Sequence, residues 1–167
     1  SLLLNLSSFN KPLVFKTSFR QHQNAISARF MADNSISIFN PLPHIGLDTL
    51  NPYEFPILQI FSSILQKIGF EETYTLRPVS WMIFLIFLFV FYKFLNENFN
   101  QNVSNSIILL VFFHPLIFYN SNSYMIEFIP HIFGLASLIF YKKNQNLSYI
   151  FLSICIVSKI TTGFIYF

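Results

Sequence analysis

The chain has 167 residues, 53% of them hydrophobic and 10% charged, with a mean hydropathy of +0.53. That balance excludes an ordinary soluble domain, where about 25% of residues are charged, and a formal charge of +3 is too small to build a nucleic-acid surface. A single cysteine, Cys155, excludes an internal disulfide and a cysteine-ligated zinc site, and its place in an apolar run reads as a small lipid- or helix-facing residue.

Taken in chain order, Leu2-Leu3-Leu4 resembles the tail of a hydrophobic segment, and Phe167 closes the sequence inside another apolar run. The chain therefore reads as a fragment of a larger membrane protein, truncated at both ends. Residues 19–32 form a candidate short helix on which Arg20, Gln23, Asn24 and Ser27 share a face by i, i+3, i+4, i+7 spacing. Asn40-Pro41-Leu42-Pro43 and Asn51-Pro52 read as extended or turning loop. Residues 54–70 form an amphipathic helix. Ile57, Leu58, Phe61, Ile64, Leu65 and Ile68 fall on one face, Gln59, Ser62, Ser63, Gln66 and Lys67 on the other, and Gly69 suits the C-terminal cap. A helix of that length and one-sidedness lies in a membrane interface rather than across it.

Four apolar runs follow, at about 78–95, 104–119, 124–141 and 147–167. A bilayer core of ~30 Å asks for roughly 20 apolar residues in a helix. The second run is broken by His114-Pro115, the third holds Glu127, Pro130, His131 and Gly134, and the fourth holds Lys159. The Asn-rich connections are short, so neighbouring helices should pair as antiparallel hairpins. Lys93, Lys142 and Lys143 sit at ends that share one side if all four runs cross, and that side should be cytoplasmic. Residues 5–77 and the 120–123 loop then face outward. The cations of this outer region are either a long loop translocated regardless of charge or partners for an anionic group.

The expected fold is thus all-α: a polytopic membrane helical bundle over 78–167, preceded by a first extracytoplasmic loop, 1–77, with two interfacial helices. No Gly-rich phosphate loop, metalloprotease motif or nucleophile elbow is present, the four histidines are scattered, and neither a metal nor a cofactor is expected. Three ionisable groups stand out. Glu54 is either a helix N-terminal carboxylate, favoured there by ~0.3–1 kcal/mol, or the lining of a surface site. Glu127 is either a loop-edge residue or points into an outward-facing cavity. Lys159, costing ~2.5–3.5 kcal/mol inside a membrane, either snorkels to the interface or meets an anion: Glu127, Glu54 or a lipid phosphate.

The order of short motifs resembles a known family. Phe19-Arg20-Gln21-His22-Gln23-Asn24-Ala25 is similar to W-R-Q-A-D-T-A, with Ala28-Arg29 after it. Glu54-Phe55-Pro56-Ile57-Leu58-Gln59 resembles E-F-P-L-Y, and Arg77-Pro78-Val79-Ser80 resembles A-R-L-V-S. His114-Pro115-Leu116-Ile117-Phe118-Tyr119 resembles S-P-L-F-x-Y, Ser123-Tyr124-Met125-Ile126-Glu127 resembles S-F-M-P-E, and Ser158-Lys159-Ile160-Thr161 resembles T-K-P-T. In this order the chain resembles the GT-C membrane glycosyltransferases related to dolichyl-phosphate-mannose protein mannosyltransferases and bacterial aminoarabinose transferases, and the resemblance covers nearly the whole chain as an N-terminal part. The resemblance implies a multi-pass protein of a bacterial inner membrane that transfers a sugar from a polyprenyl-phosphate donor to an extracytoplasmic acceptor. It implies Arg20, Arg29 and Lys159 as donor-phosphate partners, and Glu54 and Glu127 as catalytic carboxylates. The family's acid falls on Gln23, whose amide cannot take up a proton. Either another carboxylate does that work, with Glu54 and Asp48 nearest in sequence, or the protein is a non-catalytic relative. A transporter or flippase, with Glu127 and Lys159 on a pathway, is the further alternative.

Overall fold

An α-helix satisfies its backbone groups within its own segment, and this chain uses that solution throughout its described part. The computed structural model describes residues 18–34, 56–121, 123, 127–159 and 165–166, with the backbone alone for 18–23, 73 and 74. Seven helices lie among the described residues, and no strand. They are α1 (Ser18–Asp33), α2 (Ile57–Lys67), α3 (Glu72–Asn98), α4 (Gln101–Phe113), α5 (Pro115–Ser121), α6 (Phe128–Tyr141) and α7 (Gln145–Ser158). The chain divides into two compact units, one running to Trp81 and taking in Ser121–Met125, the other formed by Met82–Asn120 and Ile126–Phe167.

In the first unit α1 packs on α2. Ala25, Ser27, Ala28 and Met31 are buried on α1, mostly small side chains that let a neighbouring backbone come close. The amphipathic pattern of α2 is present, but it is turned inside out relative to a soluble helix. Gln59, Ser62 and Ser63 are buried with Leu58, while Phe61, Ile64 and Ile68 are 57%, 41% and 69% exposed. Hydrogen bonds hold the polar face inward. Gln59 Nε2 donates to Asn24 Oδ1 at 2.9 Å, Ser62 Oγ to the Thr75 carbonyl at 3.4 Å, and Gln66 Nε2 to Thr75 Oγ1 at 3.1 Å. Lys67 Nζ donates to the Asn34 carbonyl at 2.8 Å.

Gly69 ends α2 as its sequence suggests. Its φ is +105°, its N–H donates to the Gln66 carbonyl at 3.0 Å, and the N–H of Phe70 donates to the Leu65 carbonyl at 3.2 Å. This is the Schellman arrangement, which satisfies two orphan carbonyls and needs a residue without a Cβ.

Helix α3 begins at Glu72, six residues ahead of Pro78, so the proline lies inside the helix and not at its first turn. It withdraws one helical donor there. Thr75–Asn98 is 24 residues, about 36 Å at 1.5 Å per residue, and among the described helices it alone is long and apolar enough by itself to cross a membrane. Helices α4 and α5 satisfy the same length and composition only as a pair, bent by 66°. The bend follows from Pro115, which bars the helical conformation at the preceding residue; His114 is extended, with φ −66° and ψ 123°. Helices α6 and α7 are 14 residues each, about 21 Å.

The second unit is organised by aromatic rings. Phe84 of α3 is fully buried, with its ring centroid 5.1 Å from that of Phe128 on α6 and 6.3 Å from that of Phe112 on α4. Helices α6 and α7 form a hairpin about the 142–144 turn, where Asn144 caps α7 by accepting from the Leu147 N–H at 3.2 Å. Ser148 Oγ donates to the Ser137 carbonyl at 2.9 Å across the seam, and Phe151 packs between Phe133 and Phe140. Cys155 is fully buried. Pro130 falls in the first turn of α6, where no N–H is required. At the far end of α6, Lys143 pairs with Glu97 of α3.

A methyl group at Gly69 would sit on a left-handed residue, so Gly69→Ala should destabilise the protein by about 1–2 kcal/mol. Chemical denaturation in detergent micelles measures this. An unchanged midpoint would mean that the helix does not end through a left-handed residue.

Candidate functional site

Residues 127, 131 and 134 recur at i, i+4, i+7 and so form one stripe along α6. The hairpin connection runs α7 antiparallel to α6, which returns the end of α7 to the start of α6. Glu127 is the residue before α6, and Lys159 caps α7 with an extended backbone, φ −161° and ψ 105°. Lys159 Nζ donates to Glu127 Oε2 at 2.6 Å, with 20% and 29% of the two side chains exposed. The next group on the stripe, His131, has Nδ1 2.9 Å from the hydroxyl of Tyr166. The Tyr166 ring lies against Gly134, where a Cβ would come within 2.3 Å of it. Glycine is required there by close approach.

Beside this stripe is a cavity of about 300 Å³. Its walls are Phe87 and Phe91 of α3, Ile117 and Asn120 of α5, Glu127, then Phe128, His131 and Leu135 of α6, and Tyr166. The Phe87 ring stands 5.7 Å from Phe91, 5.2 Å from Phe128 and 6.3 Å from His131, centroid to centroid. An apolar chamber with a few convergent polar groups is the usual form of a small-molecule site, and this one is at the small end of the range. The arrangement offers apolar wall to a hydrocarbon or ring, and an amide, a carboxylate and an imidazole to a polar head. Among the described residues no group of three or more His, Cys, Asp and Glu is placed to hold a metal ion.

Of the residues expected from sequence to act together, the structure joins Glu127 to Lys159, one of the partners open to that lysine. Glu54 and Asp48 lie outside the described residues. Arg20 and Gln23 lie on α1 by backbone, with their side chains outside the description. Arg29 is on the exposed side of α1, 3.8 Å from Asp33 and 3.8 Å from Glu72. Surface pairs of this kind contribute about 0–1 kcal/mol. The sequence reading did not single out His131 or Tyr166. The i, i+4 spacing of Glu127 and His131 was a visible signal, but the histidines were weighed only as metal ligands; nothing local marks Tyr166, which meets His131 across 35 residues. No family profile, no curated protein and no solved structure matches the chain.

The contact between Gly134 and Tyr166 sets a coupling test. Gly134→Ala overpacks the seam and should cost about 1–3 kcal/mol. In a Tyr166→Ala background the same change should cost almost nothing, because the obstructing ring is gone. Thermal unfolding of the four proteins of this cycle measures it, and equal costs in both backgrounds would place the ring elsewhere.

Proposed function

We propose that this chain is membrane-embedded in several crossings and belongs to a glycosyltransferase that moves a sugar from a polyprenyl-phosphate donor to an extracytoplasmic acceptor. Helix α3, the bent α4–α5 pair, α6 and α7 are the crossings, and α1 and α2 lie at the outer membrane–water boundary. The outward apolar face of α2 suits the headgroup–acyl boundary, since its polar face is already hydrogen-bonded to protein. Helices of about 21 Å, such as α6 and α7, cross by local thinning of the bilayer.

The observation that carries the reading is the Glu127–Lys159 pair beside an aromatic chamber. Apolar walls suit an isoprenoid chain. A lysine at their polar end can pass its ammonium from Glu127 to a donor phosphate and stabilise the charge that grows on the leaving phosphate. The residue order that resembles the GT-C enzymes adds to this, as Glu127 and Lys159 both fall on the matching motifs.

A second reading has its own support. Gln23 stands where the resembling family carries an acid, and Glu127 is engaged by Lys159. Both favour a relative that binds the donor without turning it over.

The test uses membranes carrying the natural polypeptide and a radiolabelled polyprenyl-phosphate sugar. Lipid-phosphate release should be measurable, and Lys159→Met should lower it by about 10²–10³-fold, the cost of losing one preorganised charge-stabilising group. Donor binding without release would favour the non-catalytic reading. The absence of both binding and release would overturn the assignment.

A further inference from the structure

Transfer to a hydroxyl needs a group that takes the hydroxyl's proton. Three titratable side chains line the cavity: Glu127, His131 and Tyr166. Glu127 is already engaged, accepting a hydrogen bond from the Lys159 ammonium at 2.6 Å. The Tyr166 hydroxyl is engaged with His131 Nδ1 at 2.9 Å. The imidazole is different, because only one of its two nitrogens is engaged. Nε2 makes no hydrogen bond to any described residue, on a ring that lines the cavity and is half-buried beside Phe87.

The two ring nitrogens of a neutral histidine play opposite roles, and the bond made by one sets the role of the other. If Nδ1 carries the proton it donates to the Tyr166 oxygen, and Nε2 presents a lone pair. The Tyr166 ring lies against Gly134, so the hydroxyl that meets Nδ1 is held in place. An imidazole on an apolar helix face is usually a core residue satisfied on both sides. This one is satisfied on one side and borders a chamber on another.

We infer that His131 is the proton acceptor of this site and that Tyr166 is the residue that positions it. The inference rests on the transfer reading given above. In the step, the acceptor oxygen forms its bond to the anomeric carbon as its proton passes to His131 Nε2. The bond from that carbon to the donor's phosphate oxygen breaks, and its electron pair leaves on the phosphate. The imidazolium so formed lies one helical turn from the Glu127 carboxylate, on the same stripe of α6. The charged and titratable groups around it are Glu127, the Lys159 ammonium from the end of α7, and Tyr166.

The experiment compares lipid-phosphate release and donor binding in membranes carrying the natural polypeptide, His131→Asn, Tyr166→Phe, or His131→Ala with and without added imidazole. Asparagine keeps a hydrogen-bonding amide at the Nδ1 position but has no base, so the bond to Tyr166 survives while the proton acceptor is lost. His131→Asn should lower release by about 10²–10⁴-fold with donor binding retained. The fall in rate at acid pH, where the imidazole takes up a proton, should vanish from its residual activity. Tyr166→Phe should lower release less than His131→Asn and keep that acid limb, and imidazole should restore part of the His131→Ala activity. Release by His131→Asn close to that of the natural protein overturns the role of His131 and leaves the transfer reading standing. Retained binding with lost activity, but no rescue by imidazole and an unchanged acid limb, also overturns it. Absence of release by the natural protein overturns both.

Discussion

The structure depends on where its polarity lies. Each of the seven described helices buries at least one serine or threonine and leaves at least one large apolar side chain exposed. Ser27 is inside and Ile26 outside on α1; Ser104 is inside and Leu110 outside on α4; Ser148 is inside and Ile150 outside on α7. In water this arrangement would waste the main driving force of folding. Against hydrocarbon it is sound, because lipid gives no gain for hiding leucine, while small polar residues let helices approach and bond to one another. The inward hydrogen bonds of Gln59, Ser62 and Gln66 on α2, and of Ser148 on α7, are the local expression of this rule.

The site inherits its geometry from that packing. The tight 142–144 turn and the small contacts of Ser137, Ser148 and Cys155 keep α6 and α7 close along their length. That closeness returns Lys159 to Glu127 and gives each half-buried charge an opposite partner. Removing Lys159 would take from the Glu127 carboxylate its 2.6 Å partner in a largely buried setting, which is costly. Further along the stripe, Gly134 makes room for a ring, and the ring engages His131. One helix spacing thus puts Glu127 and His131 on the wall of a single chamber, which Tyr166 also borders.

Much of the helical layout could be read from the residues. The face pattern of α2, the left-handed Gly69, the break at His114-Pro115 and the hairpin after Tyr141 all have local causes, and local causes are visible in sequence. What the pattern of α2 could not reveal was which face meets protein, since one-sidedness has no sign until the surroundings are known. Pro78 reads as a helix opening, but α3 starts at Glu72 because an acid in the first turn and the Thr75 contacts to α2 support the earlier turns. Lys159 sits in an apolar run that reads as continuous helix, yet α7 ends at Ser158 and the lysine follows in extended backbone. At the site, the cost of an unpaired charge pointed to Glu127 and Lys159. The His131–Tyr166 contact has no such local sign, as it depends on tertiary approach.

The account's central claim is that the exposed apolar faces meet lipid. Spin labels at Phe89 and Leu110, 69% and 73% exposed, test it in reconstituted bilayers against a label at the exposed Arg29. The account predicts that labels at positions 89 and 110 relax readily with dissolved oxygen and are shielded from a water-soluble nickel chelate, with the reverse at position 29. Free access of the nickel chelate to positions 89 and 110 would contradict it.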